Sequence, residues 1–168
     1  MTHPKIVIIG AGPGGYSAAF RAADLGLSVT LIDARPNPGG VCLYEGCIPS
    51  KALLKNAEVA HTLRERGKDF GFSFENLQLD FSVAVKRSRQ VSDRLVKGVG
   101  FLMKKNNIDV YMGAARLTGP SALTVTDTDG KVQELQAKNI IIATGAFSAS
   151  IPGVTVDGEK IVSYQEAI

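Results

Sequence analysis

The sequence has no tryptophan, only two cysteines and two histidines, and no long apolar run. Its longest uninterrupted apolar runs, Ile6 to Ile9 and Ile140 to Ala143, are far shorter than the roughly 20 residues of a membrane-spanning helix. Two cysteines are too few for a disulfide-rich scaffold, and 45% hydrophobic with 21% charged residues is unlike a disordered chain. The 168 residues are enough to bury a core, so we predict one globular domain with no membrane partner.

The N-terminal segment Met1-Thr2-His3-Pro4-Lys5 lacks the basic and apolar regions of a secretory signal, and we therefore expect a cytoplasmic protein. The formal net charge of +3 at pH 7 is too small to predict a nucleic-acid partner. Seven of the basic residues nevertheless lie between Lys86 and Lys105, with Asp93 as the only acidic residue there. We interpret this segment as a helix with a solvated cationic face; a subunit contact or docking on an acidic partner are the alternatives.

Apolar and helix-forming segments alternate as in a parallel α/β fold. The predicted strands are residues 5–9, 28–32, 108–112 and 139–143, and the predicted helices are 13–25, about 49–66 and about 81–105. Residues 34–41 are predicted as loop, residues 123–126 and 131–135 as an antiparallel hairpin, and residues 146–168 as lacking a closing element. We expect the apolar face of helix 81–105 to consist of Val85, Ser92, Leu95, Val99 and Leu102.

A glycine-rich loop, Gly10-Ala11-Gly12-Pro13-Gly14-Gly15, follows the first strand and opens the first helix, which is the context of a dinucleotide-binding fingerprint. Gly10 permits the turn, Gly12 lets the main chain approach a diphosphate, and Gly15 lets the helix pack closely on the strand. Asp33 ends the second strand, where its carboxylate can accept bonds from ribose hydroxyls. The motif predicts an adenine dinucleotide but does not distinguish FAD from NAD.

The two cysteines, Cys42 and Cys47, are five positions apart. In a regular helix their Cα atoms would be about 8 to 9 Å apart, beyond the ~7 Å limit for a disulfide, so a bonded pair requires a bend. Gly46 provides the freedom to bend, and Pro49 suits a first helical turn, so we expect the helix to begin near Ile48. The helix dipole then favours a thiolate at Cys47.

Lys51 lies one helical turn beyond Cys47 and adds positive charge beside it. A structural disulfide, a zinc site and two inert cysteines are the competing interpretations, although the two histidines, His3 and His61, lie in unrelated segments. The glycine pair Gly39-Gly40 suggests main chain close to a flat ligand. A redox-active disulfide against a flavin accounts for these features together.

The segment Gly39-Gly-Val-Cys-Leu-Tyr-Glu-Gly-Cys-Ile-Pro-Ser-Lys-Ala-Leu-Leu54 resembles the active-site signature of the class I pyridine nucleotide-disulfide oxidoreductases, and within them that of the dihydrolipoamide dehydrogenases. The glycine-rich loop is similar to the family's FAD pyrophosphate loop. Ala143-Thr144-Gly145 resembles its motif at the end of the strand next to the cofactor, and Gly113-Ala114 the point where its main chain meets adenine. Between the two cysteines, Tyr44-Glu45 stands where Asn-Val is common in the family.

The resemblance implies a Rossmann-like, glutathione-reductase-like FAD-binding domain over residues 1–168. Its parallel sheet would carry an inserted antiparallel β-meander, and we expect it to be incomplete at the C-terminus, with the NAD-binding and dimer-interface domains outside this chain. The implied catalytic residues are Cys42, Cys47 and Lys51. The implied FAD-contacting residues are Gly10, Gly12, Pro13, Gly14, Gly15, Asp33, Ala34, Arg35, Gly40, Val41, Cys42, Cys47, Lys51, Gly113, Ala114, Ala143, Thr144 and Gly145.

The reaction that the resemblance implies is oxidation of dihydrolipoamide, or another dithiol, with electrons passing through FAD to NAD⁺. Cys42, expected to be the more accessible thiol, would exchange with substrate, and Cys47 would lie against the flavin. A homodimer, and a 2-oxo acid dehydrogenase complex as a further partner, are implied for the full-length protein, and we expect this chain alone not to turn over. The alternatives are the FAD portion of a related disulfide or mercuric reductase, and a non-catalytic dinucleotide-binding module.

Overall fold

The computed structural model describes residues 4–149 and 151–168. Its strands, numbered in chain order, are β1 (Ile6–Ile9), β2 (Val29–Asp33), β3 (Asp109–Met112), β4 (Ala114–Gly119), β5 (Ala122–Thr126), β6 (Val132–Gln136) and β7 (Asn139–Ile142). Its α-helices are α1 (Pro13–Asp24), α2 (Gly40–Tyr44), α3 (Cys47–Arg66), α4 (Phe81–Lys105) and α5 (Tyr164–Ala167), with a 3-10 turn at Gly67–Phe70. Among these residues, no helix combines the length and the apolarity that crossing a bilayer requires.

The central sheet is parallel, with strand order β3-β2-β1-β7, and β4-β5-β6 form a separate antiparallel sheet. Both faces of the two central strands, β1 and β2, are covered. On one face Ile8 and Leu31 pack with residues of α1 and α4, and on the other Val7 and Ile32 pack with Leu123 and other residues of the antiparallel sheet. This two-sided burial explains why β1 and β2 lack alternation, and it confirms the predicted α/β class with its β-meander.

The long helix α4 begins and ends where the sequence predicts, because Asp80 caps its first turn by accepting hydrogen bonds from the main-chain N–H groups of Ser82 and Val83. The predicted apolar face is partly wrong. Ser92 is buried and Val99 packs on the core, but Leu95 and Leu102 are 41% and 40% exposed, and Val85 is only partly buried. The buried residues are instead Ala84, Ser88, Ser92, Val96 and Met103.

The burial on α4 differs from the prediction because the helix packs through small side chains. Ala84, Ser88 and Ser92 follow one another at four-residue intervals, which lets the main chain of α4 lie close to its neighbours. Two of the arginines interpreted as part of a solvated face also form hydrogen bonds to neighbouring helices. Arg87 donates to the carbonyl of Ala52 on α3, and Arg89 donates to the carbonyl of Tyr44 at the end of α2.

Besides the 3-10 turn, three short elements were not predicted. The last two residues of the predicted loop 34–41 belong to α2, whose cap residue Gly39 has a positive φ of 119°. Strand β4 pairs with β5, so the predicted hairpin is the second half of a three-stranded meander. Helix α5 begins with a capping box between Ser163 and Glu166.

Candidate functional site

The glycine-rich loop lies where β1 ends and α1 begins, and two of its glycines have no room for a side chain. A Cβ at Gly10 would lie 2.2 Å from the Ala143 carbonyl oxygen, and one at Gly15 would lie 1.7 Å from the Gly10 carbonyl oxygen. Gly14, by contrast, faces open space, with no atom within 4 Å. The N-terminus of α1 has Gly12 as its cap residue, Pro13 as its first residue and no side-chain cap, so its main-chain N–H groups remain available for an anion.

The Asp33 carboxylate at the end of β2 organises the same edge of the sheet. One oxygen, Oδ2, accepts from the main-chain N–H of Ala11 at 2.6 Å, and the other, Oδ1, accepts from that of Arg35 at 2.8 Å. The Asp33 carbonyl accepts from the N–H of Gly113 at 2.9 Å. Each carboxylate oxygen has a second lone pair, so Asp33 can still accept a bond from a ribose hydroxyl.

The predicted segments after β3 and β7 also meet at this edge. A Cβ at Gly113 would lie 2.5 Å from the Thr126 carbonyl oxygen, so the main chain after β3 packs closely on the end of β5. The exposed Ala114 follows Gly113 and begins β4. The N–H of Ala143 donates to the carbonyl of Ile9 at 2.7 Å, so the exposed residues Thr144 and Gly145 follow directly beside the loop. Ala34 and Arg35 are exposed beyond Asp33. The carboxyl ends of four parallel strands thus lie at one edge of the sheet, and the crevice outside this edge is the usual location for a ligand in such sheets.

The cysteine-bearing segment packs directly on the glycine-rich loop. Gly39 donates its N–H to the carbonyl of Ala11 at 2.8 Å, and a Cβ at Gly40 would lie 2.8 Å from the Cα of Gly12. Gly40 has a φ of +58°, which favours glycine. The glycine pair therefore lies close to the main chain of the loop, and its expected closeness to a flat ligand stays a prediction.

The predicted bend between the cysteines is present. Cys42 lies in α2, Cys47 is the first residue of α3, and the break falls at Glu45 and Gly46, where a Cβ on Gly46 would lie 3.1 Å from the Val41 carbonyl oxygen. The helix begins one residue before the predicted Ile48. Both cysteines are free thiols in the structure, so the disulfide itself stays a prediction.

The two thiols are close enough to interact. Burial raises the pKa of the Cys42 thiol, and its hydrogen bond to the Cys47 thiol together with the charge of a Cys47 thiolate raises it further. The main-chain N–H of Cys47 and the ammonium of Lys51 lower this pKa without cancelling the increase. Lys51, predicted to add positive charge beside Cys47, lowers the pKa of Cys42 in the structure.

The relative exposure of the cysteines is the reverse of the prediction: Cys47 is exposed and Cys42 only partly so. Cys42 lies within α2 beside the buried Leu43, whereas Cys47 begins α3 at a break between helices and is less covered by this chain. A role for Cys42 as the accessible exchange thiol does not follow from the chain's own packing.

One residue of the site, Tyr16, was missed by sequence reasoning. It lies in α1, just beyond the glycine-rich loop, and is partly buried. Its pKa is raised, first by burial and then by the negative charge of Cys42 and Cys47 as thiolates. Tyr16 is thus within electrostatic reach of both sulfurs, and no local signal predicts this because the effect depends on the tertiary fold.

A metal centre has no support among residues 4–149 and 151–168, where no three or more His, Cys, Asp or Glu side chains form a cluster that could hold an ion. His61 is exposed on α3. His3 lies outside the described residues.

Comparison with known proteins agrees with this site. The family model "Pyridine nucleotide-disulphide oxidoreductase" matches residues 4–167. A dihydrolipoyl dehydrogenase from Chlorobaculum parvum is 47% identical over 163 residues, which cover 97% of this chain and 34% of the relative. One from Mycobacterium bovis is 45% identical over 168 residues, covering 100% of this chain and 36% of the relative. The chain therefore spans about a third of the length of these relatives.

Solved structures give the same result. LpdA from Mycobacterium tuberculosis superposes with a TM-score of 0.84 at 26% identity, covering 96% of this chain and 36% of that protein. The HOCl-induced flavoprotein disulfide reductase RclA from Escherichia coli, solved as a Cu(II) complex, superposes with a TM-score of 0.74 at 30% identity, covering 90% and 31%. A dinucleotide-type loop in contact with a paired-thiol segment defines the class as that of the flavoprotein disulfide oxidoreductases. The chain belongs to the pyridine nucleotide-disulphide oxidoreductase family.

Proposed function

We propose that residues 1–168 are the FAD-binding, redox-disulfide portion of a dihydrolipoamide dehydrogenase. The observation that carries the proposal is the main-chain contact between the nucleotide-type loop and the thiol segment, where Gly40 packs against Gly12. This contact brings two interacting cysteines to the ligand crevice. The full protein would oxidise dihydrolipoamide and reduce NAD⁺.

The residues at the crevice fit FAD. The uncapped N-terminus of α1 offers main-chain N–H groups to a diphosphate, and the open space at Gly14 leaves room for its approach. Asp33 would accept bonds from the ribose, and the main chain at Gly113 and Ala114 would lie near the adenine. The exposed Cys47 would lie against the flavin ring. FAD, when bound, supplies two-electron chemistry between a dithiol and a nicotinamide.

The cysteines would carry the thiol exchange. A thiolate of dihydrolipoamide attacks the Cys42 sulfur of the Cys42–Cys47 disulfide, forming a mixed disulfide and releasing Cys47 as a thiolate. The second substrate thiol then attacks the substrate sulfur of that mixed disulfide, closing the lipoamide ring and releasing Cys42. Two electrons have then passed to the protein dithiol. Cys47 is the more exposed cysteine in this chain, but a bound flavin would cover it. Cys42 would then be the thiol that remains open to substrate.

A spectroscopic experiment tests the proposal. The purified chain, reconstituted with FAD, is expected to bind it saturably and to develop a long-wavelength absorption band after addition of two electrons. The band should be absent in Cys47→Ser, whereas Cys42→Ser should show it before any reductant is added, because its Cys47 thiolate would already lie next to the oxidised flavin. Saturable FAD binding with no such band, and with cysteines that do not exchange with dithiols, would instead support a non-catalytic dinucleotide-binding module. Failure to bind FAD at all would overturn the proposal.

The remaining assignments extend the proposal to the full-length protein. Reduction of NAD⁺, a homodimer and docking within a 2-oxo acid dehydrogenase complex would all involve residues beyond this chain, which we therefore propose is inactive in turnover alone. Steady-state assay of the chain with dihydrolipoamide and NAD⁺ checks this directly. The cytoplasmic location stays a prediction. A related disulfide or mercuric reductase is the alternative, distinguished by comparing dihydrolipoamide, disulfides and Hg²⁺ as substrates of the full-length protein.

A further inference from the structure

Two of the four residues between the cysteines, Tyr44 and Glu45, are held by side chains from other parts of the fold. The Tyr44 hydroxyl donates to Asp93 Oδ1 at 3.2 Å, and Arg89 Nη1 donates to the Tyr44 carbonyl at 2.6 Å. Asp93 and Arg89 lie one turn apart on α4, so the same helix holds both the side chain and the main chain of Tyr44. We call these three residues the Tyr44 clamp.

The adjacent residue, Glu45, is anchored on the other side of the bend. Its carboxylate accepts from Arg35 Nη1 at 3.0 Å and from Gln165 Nε2 at 3.4 Å. Arg35 itself follows Asp33, to which its main-chain N–H donates. The bend between the cysteines is therefore fixed to α4, to the end of β2 and to α5.

The clamp is made while both cysteines are free thiols, so the bend that a disulfide needs already exists in the dithiol form. Closing a disulfide from two thiols costs conformational entropy in proportion to how freely the sulfurs move before they bond. A loop that is already held in the bent geometry loses less conformational entropy when the disulfide forms. The effective concentration of one thiol near the other is therefore higher. Such a loop shifts the equilibrium toward the disulfide.

We propose that Tyr44 is a positioning residue of the dithiol reaction: through Asp93 and Arg89 it holds the bend between Cys42 and Cys47 and thereby favours the disulfide. The proposal rests on the proposed function, because it assumes that this pair forms a disulfide. It concerns the Tyr-Glu dipeptide by which this sequence departs from the Asn-Val common in the family. Neither an asparagine nor a valine carries a phenol that could reach Asp93.

The phenol provides an independent report on the clamp. The pKa of Tyr44 is raised, mainly by its hydrogen bond to Asp93 and then by the charge of that carboxylate, while Arg89 acts in the opposite direction. In Asp93→Ala the pKa of Tyr44 should therefore fall. Spectrophotometric titration of the phenolate in the two proteins checks that the bond exists in solution.

The test is a redox equilibrium of the 168-residue chain in buffers of reduced and oxidised dithiothreitol. In this reaction reduced dithiothreitol gives two electrons and two protons to the protein disulfide, breaking its S–S bond, and becomes a cyclic disulfide. Alkylation of free thiols followed by mass spectrometry measures the oxidised fraction. Tyr44→Phe and Asp93→Ala are each expected to lower the equilibrium constant for disulfide formation about threefold to tenfold, the size of one ordinary hydrogen bond.

The double variant Tyr44→Phe/Asp93→Ala should show no further decrease, because both changes remove the same bond. The matched control is Glu58→Ala, which removes the exposed 3.0 Å ion pair with Lys55 on α3 and leaves the bend untouched; it should equal the wild type. A purely structural role would lower the unfolding free energies of the oxidised and reduced proteins equally and leave the equilibrium constant unchanged.

The outcomes separate the two proposals. If the wild-type cysteines form a disulfide with a measurable equilibrium constant that changes less than twofold in each single variant, the positioning role alone is overturned. A wild-type chain whose cysteines never form an intramolecular disulfide overturns the positioning role and the proposed function together. The inference is supported if the equilibrium constant for disulfide formation decreases in Tyr44→Phe and in Asp93→Ala, stays unchanged in Glu58→Ala, and decreases no further in the double variant.

Discussion

The close packing of α1 on β1 gives a prediction that two neighbouring glycines can test against each other. Gly15→Ala and Gly14→Ala add the same methyl group at adjacent positions near the start of α1. At Gly15 the new Cβ would lie 1.7 Å from the Gly10 carbonyl oxygen, so the two must separate by about 1.3 Å to reach 3.0 Å. At Gly14 the methyl group enters open space.

The free-energy cost of a methyl group at Gly15 depends on how firmly the neighbouring main chain is held. Gly10 is held by the 2.7 Å bond from its N–H to the Ile32 carbonyl and by contact with Ala143, so α1 must lift from β1. Overpacking costs about 1 to 3 kcal/mol and a strained buried hydrogen bond about 1 more, against a gain of up to ~1 kcal/mol in helix propensity. We expect Gly15→Ala to lower the free energy of unfolding by about 1 to 3 kcal/mol, and Gly14→Ala to raise it by about 0.5 to 1 kcal/mol.

Urea denaturation followed by circular dichroism measures both unfolding free energies, and fluorescence titration measures FAD affinity in parallel. Gly15→Ala should also weaken FAD, because lifting α1 moves its N-terminal N–H groups. Two results would refute the reasoning: a Gly15→Ala protein within about 0.5 kcal/mol of the wild type, or a Gly14→Ala protein destabilised as much as Gly15→Ala. Either would mean that the loop does not pack against β1 and β7 as described.

Four further predictions follow from single side chains. Gly12→Val should abolish FAD binding while the protein still folds, because a Cβ there meets only the Gly40 Cα at 4.0 Å, whereas its methyl groups would occupy the diphosphate path; FAD titration and circular dichroism check this. Asp33→Ala should weaken FAD by about 1 to 3 kcal/mol through loss of an ionised acceptor, and an unchanged affinity would contradict the ribose assignment. Lys51→Met should raise the pKa of Cys42 and slow its alkylation by iodoacetamide at neutral pH about two- to fivefold, since an exposed cation then no longer favours the thiolate. The pKa of Asp80 is lowered, chiefly by the Ser82 hydroxyl, so its folded-state value lies below the unfolded one; the carboxylate stabilises α4 above the unfolded pKa and loses this effect as the pH falls through the folded pKa. The Tm of Asp80→Ala should therefore be lower than that of the wild type at neutral pH, and the two should converge in strong acid.

The order of elements around the crevice and the loop chemistry were predictable from the sequence. The β-branched runs of β1 and β2 and the glycines of the loop act through local sterics, which a sequence displays directly. The bounds of α4 were predictable for the same reason, since Asp80 caps its first turn through residues two and three positions away. The bend between Cys42 and Cys47 followed from helix geometry and from Gly46.

What the sequence by itself determined is therefore the set of local conformations: a strand, a glycine-rich turn, a helix, and two thiols on either side of a bend. Only the tertiary structure decided which face of α4 is buried, which cysteine is the more exposed, and that Tyr44 meets Asp93 across 49 residues of sequence. The physical reason is that local conformation depends on neighbouring residues, whereas burial and side-chain partnership depend on which helices and strands pack together. A helical period places Ser92 and Leu95 on one face of α4, but the way α4 packs through its small side chains decides which part of that face is covered.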